Sequence, residues 1–296
     1  MTATALLLYF EDEHESALRL AGAAALASAP VGRHRFPDGE LKLRLPASLP
    51  ESVVLLRTLD HPNEKLVELL LAARTARELG ARHLTLVAPY LAYMRQDVAF
   101  LPGEAVSQRI VGRFLADLFD AVITVDPHLH RVATLQEAIP VPHAIALTGA
   151  ALLADLIAGR RQRPLLVGPD AESAQWVAQA AARHGFEHAV CHKVRHGDRA
   201  VEIELPPVNV AGRAVVLLDD VASTGQTLAG AARLLLAAGA ASVDVAVTHA
   251  LFADDALQVI LDAGVGEVWS TDCISHSSNA VSVAPLIAAA LSGITY

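Results

Sequence analysis

The chain has 296 residues, of which 53% are hydrophobic and only 4% aromatic, and its 23 basic and 32 acidic residues give a net charge of −9. The acidic excess and the lack of a Lys/Arg cluster argue against a nucleic-acid partner, and we expect no segment to enter a membrane. Two cysteines, Cys191 and Cys273, make no disulfide framework, so we expect a cytoplasmic protein. A core of Ala, Leu and Val is typical of parallel sheets covered by helices, and the length suits two domains of about 150 residues each.

Strand-like and helix-like segments alternate along the first half of the chain. The predicted strands are Leu6–Tyr9, Leu41–Leu45, Val53–Arg57, Leu84–Ala88 and Ala121–Asp126, and the predicted helices are His14–Ser28, Glu64–Leu79 and Val106–Leu118. This alternation predicts parallel strands that are joined by helical crossovers.

The second half repeats the alternation. Its predicted strands are Leu165–Val167, Ala214–Leu218, Ser242–Thr248 and Glu267–Ser270, and its predicted helices are Ala150–Ile157, Ser173–His184, Leu228–Ala238 and Asp254–Leu261. The turn-prone segment Pro140–Pro142 marks a boundary between an N-terminal domain over 1–143 and a C-terminal domain over 144–296. We therefore expect an α/β protein with two similar domains, each a mainly parallel sheet flanked by helices, and a site in the cleft between them.

The most informative segment runs from Ala214 to Leu228. An apolar strand ends in two carboxylates, Asp219 and Asp220, and a turn of small residues then leads into an Ala/Leu-rich helix; the turn reads Ser223-Thr224-Gly225-Gln226-Thr227. A strand, a glycine turn and a helix N-terminus place backbone N–H groups around one point, which suits a phosphate. The adjacent aspartates repel each other and could hold sugar hydroxyls or a metal. The alternative is an ordinary turn whose threonines cap a helix.

The segment Phe36-Pro37-Asp38-Gly39-Glu40 combines a turn with an aromatic ring and two carboxylates. A purine could stack on Phe36 while its amino group donates to Asp38 or Glu40. The alternative is a Pro-Asp-Gly turn with Phe36 packed in the core.

Arg95 and Gln96 follow the predicted strand Leu84–Ala88, at the edge where α/β sheets bind their ligands. Arg95 could clamp a phosphate, and Gln96 could bond a base or a phosphate. The glycine-containing segment up to Glu104 has the composition of a mobile lid. The alternative is a surface loop in which the arginine forms a salt bridge.

Asp126-Pro127-His128 closes the next predicted strand, where a carboxylate and an imidazole could hold Mg²⁺ directly or through water. Asp170 repeats this pattern beyond the strand Leu165–Val167. Zinc fits less well, because His128 and His130 would point to opposite sides of a continued strand and no thiol pattern joins them. We therefore treat His130 as a bystander.

Lys193 and Arg195 stand two residues apart in a strand-like segment, which places two cations on one face. Cations that meet carboxylates in a cleft are what the transfer of a diphosphate needs. The alternative is an edge strand with solvated side chains.

Taken in this order, the motifs resemble those of the ribose-phosphate diphosphokinases, or phosphoribosyl pyrophosphate synthetases, over nearly the whole chain. They read Phe-x-Asp-Gly-Glu, Pro-Tyr-x-x-Tyr-x-Arg-Gln-Asp, Val-Asp-x-His, Pro-Asp, Lys-x-Arg and Asp-Asp-x-x-Ser-Thr-Gly-x-Thr. The resemblance implies two type I phosphoribosyltransferase-like domains and a homo-oligomer, a homodimer or a hexamer, that uses Mg²⁺. It also implies transfer of the diphosphate of ATP to the 1-hydroxyl of ribose 5-phosphate, with AMP as the second product.

The resemblance assigns a role to each site residue. Phe36, Asp38 and Glu40 match a loop that enters the adenine pocket of a neighbouring subunit, while Arg95, Gln96 and His128 match ATP contacts. His128 and Asp170 match Mg²⁺-associated positions, and Lys193 and Arg195 match a catalytic pair of cations. Asp219 and Asp220 match ribose-hydroxyl ligands, and Ser223, Thr224, Gly225, Gln226 and Thr227 match the 5-phosphate loop. The ATP-side motifs thus fall in the first domain and the ribose 5-phosphate loop in the second.

One departure from the family bears on function. After Arg-Gln-Asp, family members usually carry lysine and arginine, whereas this loop reads Val98-Ala99-Phe100-Leu101 and has no cation before Arg109. The loss could cost several kcal/mol of transition-state stabilisation, about 100-fold in rate. It leaves open a slow enzyme, a loop in which Arg109 or Arg113 serves, or a changed substrate.

Two other functions stay open. The loop without cations favours a catalytically weak or inactive partner that regulates a true synthetase. A phosphoribosyltransferase would share the phosphate loop, but the duplicated half and the Phe-Pro-Asp-Gly-Glu motif speak against it.

Overall fold

A computed structural model describes residues 5–129, 131–196 and 200–295, with the backbone alone described at 193–196 and 200–202. His130 lies outside the described residues. The chain divides into two compact units. The first runs through Leu147 and takes up a C-terminal segment that starts at Val283, and the second is Thr148–Ser282.

The first unit alternates strands and helices as predicted. In chain order its elements are β1 (Leu6–Phe10), α1 (His14–Ala24), β2 (Ala27–Arg35), β3 (Leu41–Arg44), β4 (Ser52–Leu56), α2 (Pro62–Glu78), β5 (His83–Val87), α3 (Ser107–Ala116), β6 (Ala121–Val125), α4 (Leu135–Ala138) and β7 (His143–Leu147).

The strands of the first unit form one sheet in the order β3-β2-β1-β4-β5-β6-β7. Neighbouring strands are parallel, except that β2 and β3 are antiparallel. Buried aliphatic side chains on the sheet pack against those of the helices, and every residue of β6 is buried. The carboxyl ends of the parallel strands consequently share one edge of the sheet, which is where α/β folds bind ligands.

The second unit has the same layered construction. Its elements are α5 (Ala150–Arg160), β8 (Leu165–Gly168), α6 (Ala174–His184), β9 (Glu187–Val190), β10 (His192–His196), β11 (Ala200–Glu204), β12 (Ala214–Ala222), α7 (Gln226–Ala237), β13 (Ser242–Ala250), α8 (Ala256–Asp262), β14 (Val268–Thr271) and β15 (Asn279–Val281), after which α9 (Ala284–Ser292) returns to the first unit. A parallel sheet has the order β15-β14-β13-β12-β8-β9, and β10 and β11 form a separate antiparallel pair.

The predicted helix His14–Ser28 is wrong at its C-terminal end. The helix stops at Ala24, because Ala25 adopts the left-handed conformation with φ 52° and Leu26 N–H donates to the carbonyl of Ala21 at 3.0 Å. The chain then enters β2 directly, a strand that the sequence did not predict. Glycine usually occupies such a helix end, so an alanine there gives no stop signal.

The compact units differ from the predicted division in two places. The first unit extends past residue 143 because β7 pairs with β6 and completes its sheet. The C-terminal helix α9 packs against α1, so the last segment of the chain belongs to the first unit as well. Within the described parts of the chain, no helix has the length and apolar character that crossing a membrane requires.

Candidate active site

The turn between β12 and α7 is built around Gly225. Its φ is +73°, and a Cβ added there would lie 2.8 Å from the carbonyl oxygen of Ala256. Glycine alone meets both demands, because other residues are strained at positive φ and carry the atom that would clash. The turn and the start of α8 are therefore packed as one piece.

Two backbone hydrogen bonds brace the residues that lead into this turn. Phe252 N–H donates to the carbonyl of Ala222 at 2.9 Å, and Ala253 N–H donates to that of Ser223 at 3.0 Å. The first amides of a helix have no carbonyl partner within the helix, so those of Gln226 onward are available to a ligand at the N-terminus of α7. Their positive partial charge suits an anion such as a phosphate.

The two aspartates lie inside β12, which continues to Ala222 rather than ending at Leu218 as predicted. Asp220 is buried and Asp219 half-buried, and the N–H of Asp220 donates to Oδ1 of Asp219 at 3.0 Å. Burial raises the pKa of Asp219 well above its ordinary value, and the charges of Asp220 and Asp170 raise it further. The structure thus brings three of the predicted site carboxylates into one electrostatic group.

Asp170 reaches this group because β8 is the neighbour of β12. The turn after β8 is tight, since a Cβ on Gly168 would lie 2.2 Å from Oγ of Ser173. Ser173 Oγ donates to the carbonyl of Asp170 at 2.6 Å, and Asp170 Oδ1 accepts from Glu172 N–H at 3.0 Å. These bonds fix the carboxylate at the carboxyl end of its strand.

Cys191 lies against the same region. Its side chain is fully buried, and its N–H donates to the carbonyl of Gly168 at 2.9 Å. Burial, together with the charge of Asp170, raises the pKa of the thiol to about 11. A thiol with so high a pKa is protonated and unreactive at neutral pH.

A metal ion is suited to this donor set. Among the described residues, no three His, Cys, Asp or Glu side chains converge as a complete set of protein ligands. Mg²⁺ in phosphoryl-transfer sites is usually held by one or two carboxylates together with waters and substrate phosphates, so it does not need such a set. The mutual repulsion around Asp219 is the kind of charge that a bound cation relieves.

In the first unit, Arg95 and Gln96 follow β5, and Asp126 and His128 follow β6. The two strands pair in parallel, so both segments emerge at the same edge of the sheet. Arg95 is exposed, whereas Gln96 is half-buried and its side-chain amide donates to the carbonyl of Val98 at 3.0 Å. The predicted ATP contacts thus lie in two segments that leave neighbouring strands at the same edge of the sheet.

The segment Phe36–Glu40 forms a tight turn between β2 and β3. Phe36 N–H donates to the carbonyl of Glu40 at 2.8 Å, and Asp38 Oδ1 accepts from Glu40 N–H at 3.2 Å. The Phe36 ring is 38% exposed, so it is not the core residue of the alternative interpretation. Two strands, β1 and β4, lie between β2 and β5. At a strand spacing of about 4.8 Å, β2 and β5 are about 14 Å apart across the sheet, and β2 continues to Arg35, past Pro30, which is level with the end of β5, so the turn lies farther away still.

Lys193 and Arg195 lie in β10. Lys193 is paired with Ile203 and Arg195 with Val201 across the antiparallel ladder with β11. The structure describes only the backbone at these positions, so their catalytic role stays a prediction.

Sequence reasoning missed a buried network of charges at the carboxyl edge of the first sheet. Arg57 is 1% exposed, and its guanidinium bonds Glu68 at 2.5 Å and Asp12 at 2.7 Å. Glu13 lies 3.3 Å from Arg57 and accepts from Thr58 N–H at 2.5 Å. Burial raises the pKa of Glu13 to about 7. The sequence offered one signal for this network, namely that Arg57 directly follows an apolar strand.

A second missed residue is Arg131, whose Nη1 donates to Oδ1 of Asp97 at 2.5 Å. Asp97 directly follows Gln96, and Arg131 lies three residues after His128. The sequence signal for this residue was an arginine shortly after the motif Asp126-Pro127-His128 at the end of β6.

Comparison with known proteins decides the family. Residues 6–118 match the family described as the N-terminal domain of ribose phosphate pyrophosphokinase, and residues 136–263 match the phosphoribosyl transferase domain. A ribose-phosphate pyrophosphokinase of Methanopyrus kandleri is 37% identical over 94% of this chain and 95% of its own length. The chain belongs to the ribose-phosphate pyrophosphokinase family.

Further members of this family agree. The pyrophosphokinase of Methanosarcina mazei is 38% identical over 92% of this chain and 90% of its own. The crystal structure of phosphoribosylpyrophosphate synthetase from Mycobacterium smegmatis superposes with a TM-score of 0.85 at 25% identity, covering 98% of each chain. The predicted family, the fold class with its phosphoribosyltransferase-like domains, and the prediction of an enzyme of the transferase class are confirmed.

Proposed function

We propose that this chain transfers the diphosphate of ATP to the 1-hydroxyl of ribose 5-phosphate, giving 5-phosphoribosyl 1-diphosphate and AMP for nucleotide biosynthesis. One observation supports the proposal most directly. In the second unit, the strand β12 holds two aspartates, and the turn that follows it leads into the N-terminus of α7. The first can bind a phosphate and the second sugar hydroxyls, which are the two ends of ribose 5-phosphate. We place the reaction in the cytoplasm.

In this proposal, the amides of Gln226 and Thr227 and the hydroxyls of Ser223 and Thr224 bind the 5-phosphate. Asp219 and Asp220 accept hydrogen bonds from the ribose hydroxyls. Because its pKa is raised, Asp219 binds a proton more readily than an ordinary aspartate, and hydrogen bonds from the sugar favour its ionised form.

The chemical step is an in-line displacement. The oxygen of the 1-hydroxyl forms a bond to the β-phosphorus, and the bond from that phosphorus to the oxygen bridging to the α-phosphorus breaks. AMP leaves with the electron pair, and the hydroxyl proton passes to solvent. Catalysis of such a reaction depends on positioning the reactants and neutralising the phosphate charge. We assign both tasks to Lys193, Arg195 and Arg95. Mg²⁺ would neutralise phosphate charge, and we propose His128 in the first unit and Asp170 in the second as Mg²⁺-associated residues, each directly or through water.

On the ATP side, we assign Arg95, Gln96 and His128 to the nucleotide. Phe36, Asp38 and Glu40 lie in the turn after β2, which two strands separate from β5 and which projects beyond the edge where β5 ends. Their exposure and distance support a contact with the adenine bound to a second copy of the chain. We therefore propose self-association, as a homodimer or a hexamer.

The test is AMP formation by the purified protein with ribose 5-phosphate, ATP and Mg²⁺, measured beside a Lys193→Ala variant. AMP that depends on ribose 5-phosphate and disappears in the variant would support the diphosphokinase. If ATP binds but no AMP forms, the enzymatic proposal falls.

A regulatory partner of an active synthetase is the second candidate, favoured by the absence of Lys and Arg between Val98 and Leu101. Co-purification with an active synthetase, combined with no AMP formation by this chain alone, would support it. A phosphoribosyltransferase would instead release diphosphate in the presence of a nucleobase.

A further inference from the structure

The contact between Asp97 and Arg131 joins two segments at the ligand-binding edge of the first unit. Asp97 follows β5 and Arg131 follows β6, and these strands are parallel neighbours. The carboxylate of Asp97 is 1% exposed, and its Oδ1 accepts from Arg131 Nη1 at 2.5 Å. A buried carboxylate with a single cationic partner holds that partner firmly, because separating them would leave the carboxylate uncompensated.

The guanidinium also lies beside an aromatic ring of the loop. It lies 5.8 Å from the centre of the Phe100 ring, within the range of a cation–π contact. The backbone that carries Phe100 is held in turn by Glu104, whose Oε2 accepts from Phe100 N–H at 2.8 Å and from Leu101 N–H at 3.1 Å. Phe100 and Leu101 are both about two-thirds exposed, which leaves the loop surface open to a ligand.

The base of the loop is anchored to α3. Gln108 N–H donates to the carbonyl of Gln96 at 3.2 Å, and the Gln108 side-chain amide donates to the carbonyl of Met94 at 3.2 Å. The anchors place Asp97 at the start of the loop, directly after Arg95 and Gln96. Arg131 is consequently held beside the residues that we assign to ATP.

The charge of Arg131 is available to a ligand. Its side chain is 57% exposed, and one N–H is used by Asp97. A guanidinium has several further N–H donors, and among the described residues none of them has another partner. These donors form a planar fork that matches phosphate oxygens. By contrast, the loop itself has no Lys or Arg from Val98 through Val106.

We propose that Arg131 is a catalytic residue, which supplies to the diphosphate of ATP the positive charge that the loop 98–101 lacks. Asp97 is its positioning residue, and the Phe100 ring covers its guanidinium. The inference rests on the proposed diphosphate transfer, and it names the cation that makes transfer possible without Lys or Arg in the loop. It also differs from the assignment of that role to Arg109 or Arg113.

The test compares steady-state kinetics of the full-length protein and four variants. Arg131→Gln is expected to lower kcat for AMP formation by about 100-fold or more, with the KM for ribose 5-phosphate changed by less than about threefold. Arg131→Lys, which keeps the charge without the fork, is expected to lose about 10-fold. Arg74→Gln is the matched control, an exposed arginine on α2, and its kcat should stay within about twofold of wild type. Arg109→Gln tests the competing assignment and should behave like the control.

Chemical rescue separates catalysis from folding. In an Arg131→Ala variant, guanidinium ion at millimolar concentration should restore part of kcat, because the cavity left beside Asp97 and Phe100 admits it. It should leave the Arg74→Gln rate unchanged. A loss of folding would not be rescued in this way.

The outcomes are distinct. Wild-type protein that forms no AMP overturns the proposed function and this inference with it. An active wild type whose Arg131→Gln variant keeps its kcat, or loses activity only in step with its thermal stability and without rescue, overturns the assignment of Arg131 alone. A selective kcat loss in Arg109→Gln would likewise overturn it.

Discussion

Replacing Gly225 by alanine should damage the phosphate turn more than an equally strained glycine elsewhere in the same unit. Gly225 has φ +73°, and its added Cβ would meet the Ala256 carbonyl oxygen at 2.8 Å. Gly212 has nearly the same φ, +70°, but no atom lies within 4 Å of an added Cβ. Gly212→Ala is therefore destabilised by backbone strain alone. Gly225→Ala is destabilised by the same strain and also by steric overlap with the Ala256 carbonyl oxygen.

The two contributions can be estimated separately. A left-handed conformation costs an L-residue about 1–2 kcal/mol, and this applies to both variants. Overpacking against a backbone atom, which moves less readily than a side chain, adds about 1–3 kcal/mol at Gly225 alone. With a urea m value of about 2 kcal/mol/M, the midpoint should fall by about 0.5–1 M in Gly212→Ala and by about 1–2.5 M in Gly225→Ala.

Tryptophan fluorescence is the suitable assay, because both tryptophans, Trp176 and Trp269, are buried in the second unit with the two glycines. The signal thus reports unfolding of that unit without a contribution from the first. In steady-state kinetics, Gly225→Ala should also raise the KM for ribose 5-phosphate by about 10-fold or more, since the displaced amides are those we assign to the phosphate. Equal urea midpoints for the two variants, or an unchanged KM in Gly225→Ala, would refute the reasoning.

Three further predictions follow from buried charges. Arg57→Met should lower the free energy of unfolding by about 3 kcal/mol, because Glu13 and Glu68 lose a buried cation while Glu68 keeps its ion pair with Arg33, and adding Glu68→Leu should recover part of the loss in denaturant titrations. The pKa of Glu13 is raised to about 7, so the stability it contributes is present below its ordinary pKa of 4.5 and is lost as the pH rises through about 7. Glu13→Gln should remove that dependence, up to roughly 3 kcal/mol between pH 5 and 8, and an unchanged pH profile would contradict the shift. Asp219 has a raised pKa, so the KM for ribose 5-phosphate should fall as the pH rises and a larger fraction of Asp219 is ionised; Asp219→Asn should raise the KM and abolish this slope, whereas a slope that survives the substitution would place the titration elsewhere.

The central strands of the two sheets were predictable because their apolar runs are bounded by charges or turns, whereas β2, β7, β9 and β15 were not predicted. The run at Ala214–Leu218 and that at Ala121–Val125 both became central, buried strands. The end of a helix could not be predicted from the sequence where it depends on a backbone conformation that is unusual for the residue type. Ala25 ends α1 in the left-handed conformation that glycine usually supplies, so the change to β2 was hidden.

In the candidate site, the residues on strand ends could be predicted and their partners could not. Asp97 was visible as part of Arg-Gln-Asp, but nothing local indicates that its carboxylate is buried against an arginine 34 positions later. Arg57, directly after β4, and Glu68, on α2, form a similar pair. Such contacts depend on which strands become neighbours in the sheet, and that order is a property of the whole fold rather than of a motif.

The electrostatics of the second unit favour one orientation of a sugar phosphate. Asp219, Asp220 and Asp170 raise the negative potential at one end of the site, while the amides at the start of α7 offer positive charge at the other. A phosphate placed against the aspartates would meet like charge, at about 4 kcal/mol for each unit-charge pair 4 Å apart in a medium of intermediate dielectric. Hydroxyl groups in that position donate to the carboxylates instead. The unit is thus suited to a ligand that carries phosphate at one end and free hydroxyls at the other, and the aspartates to which we assign the hydroxyls would also disfavour the reversed ligand.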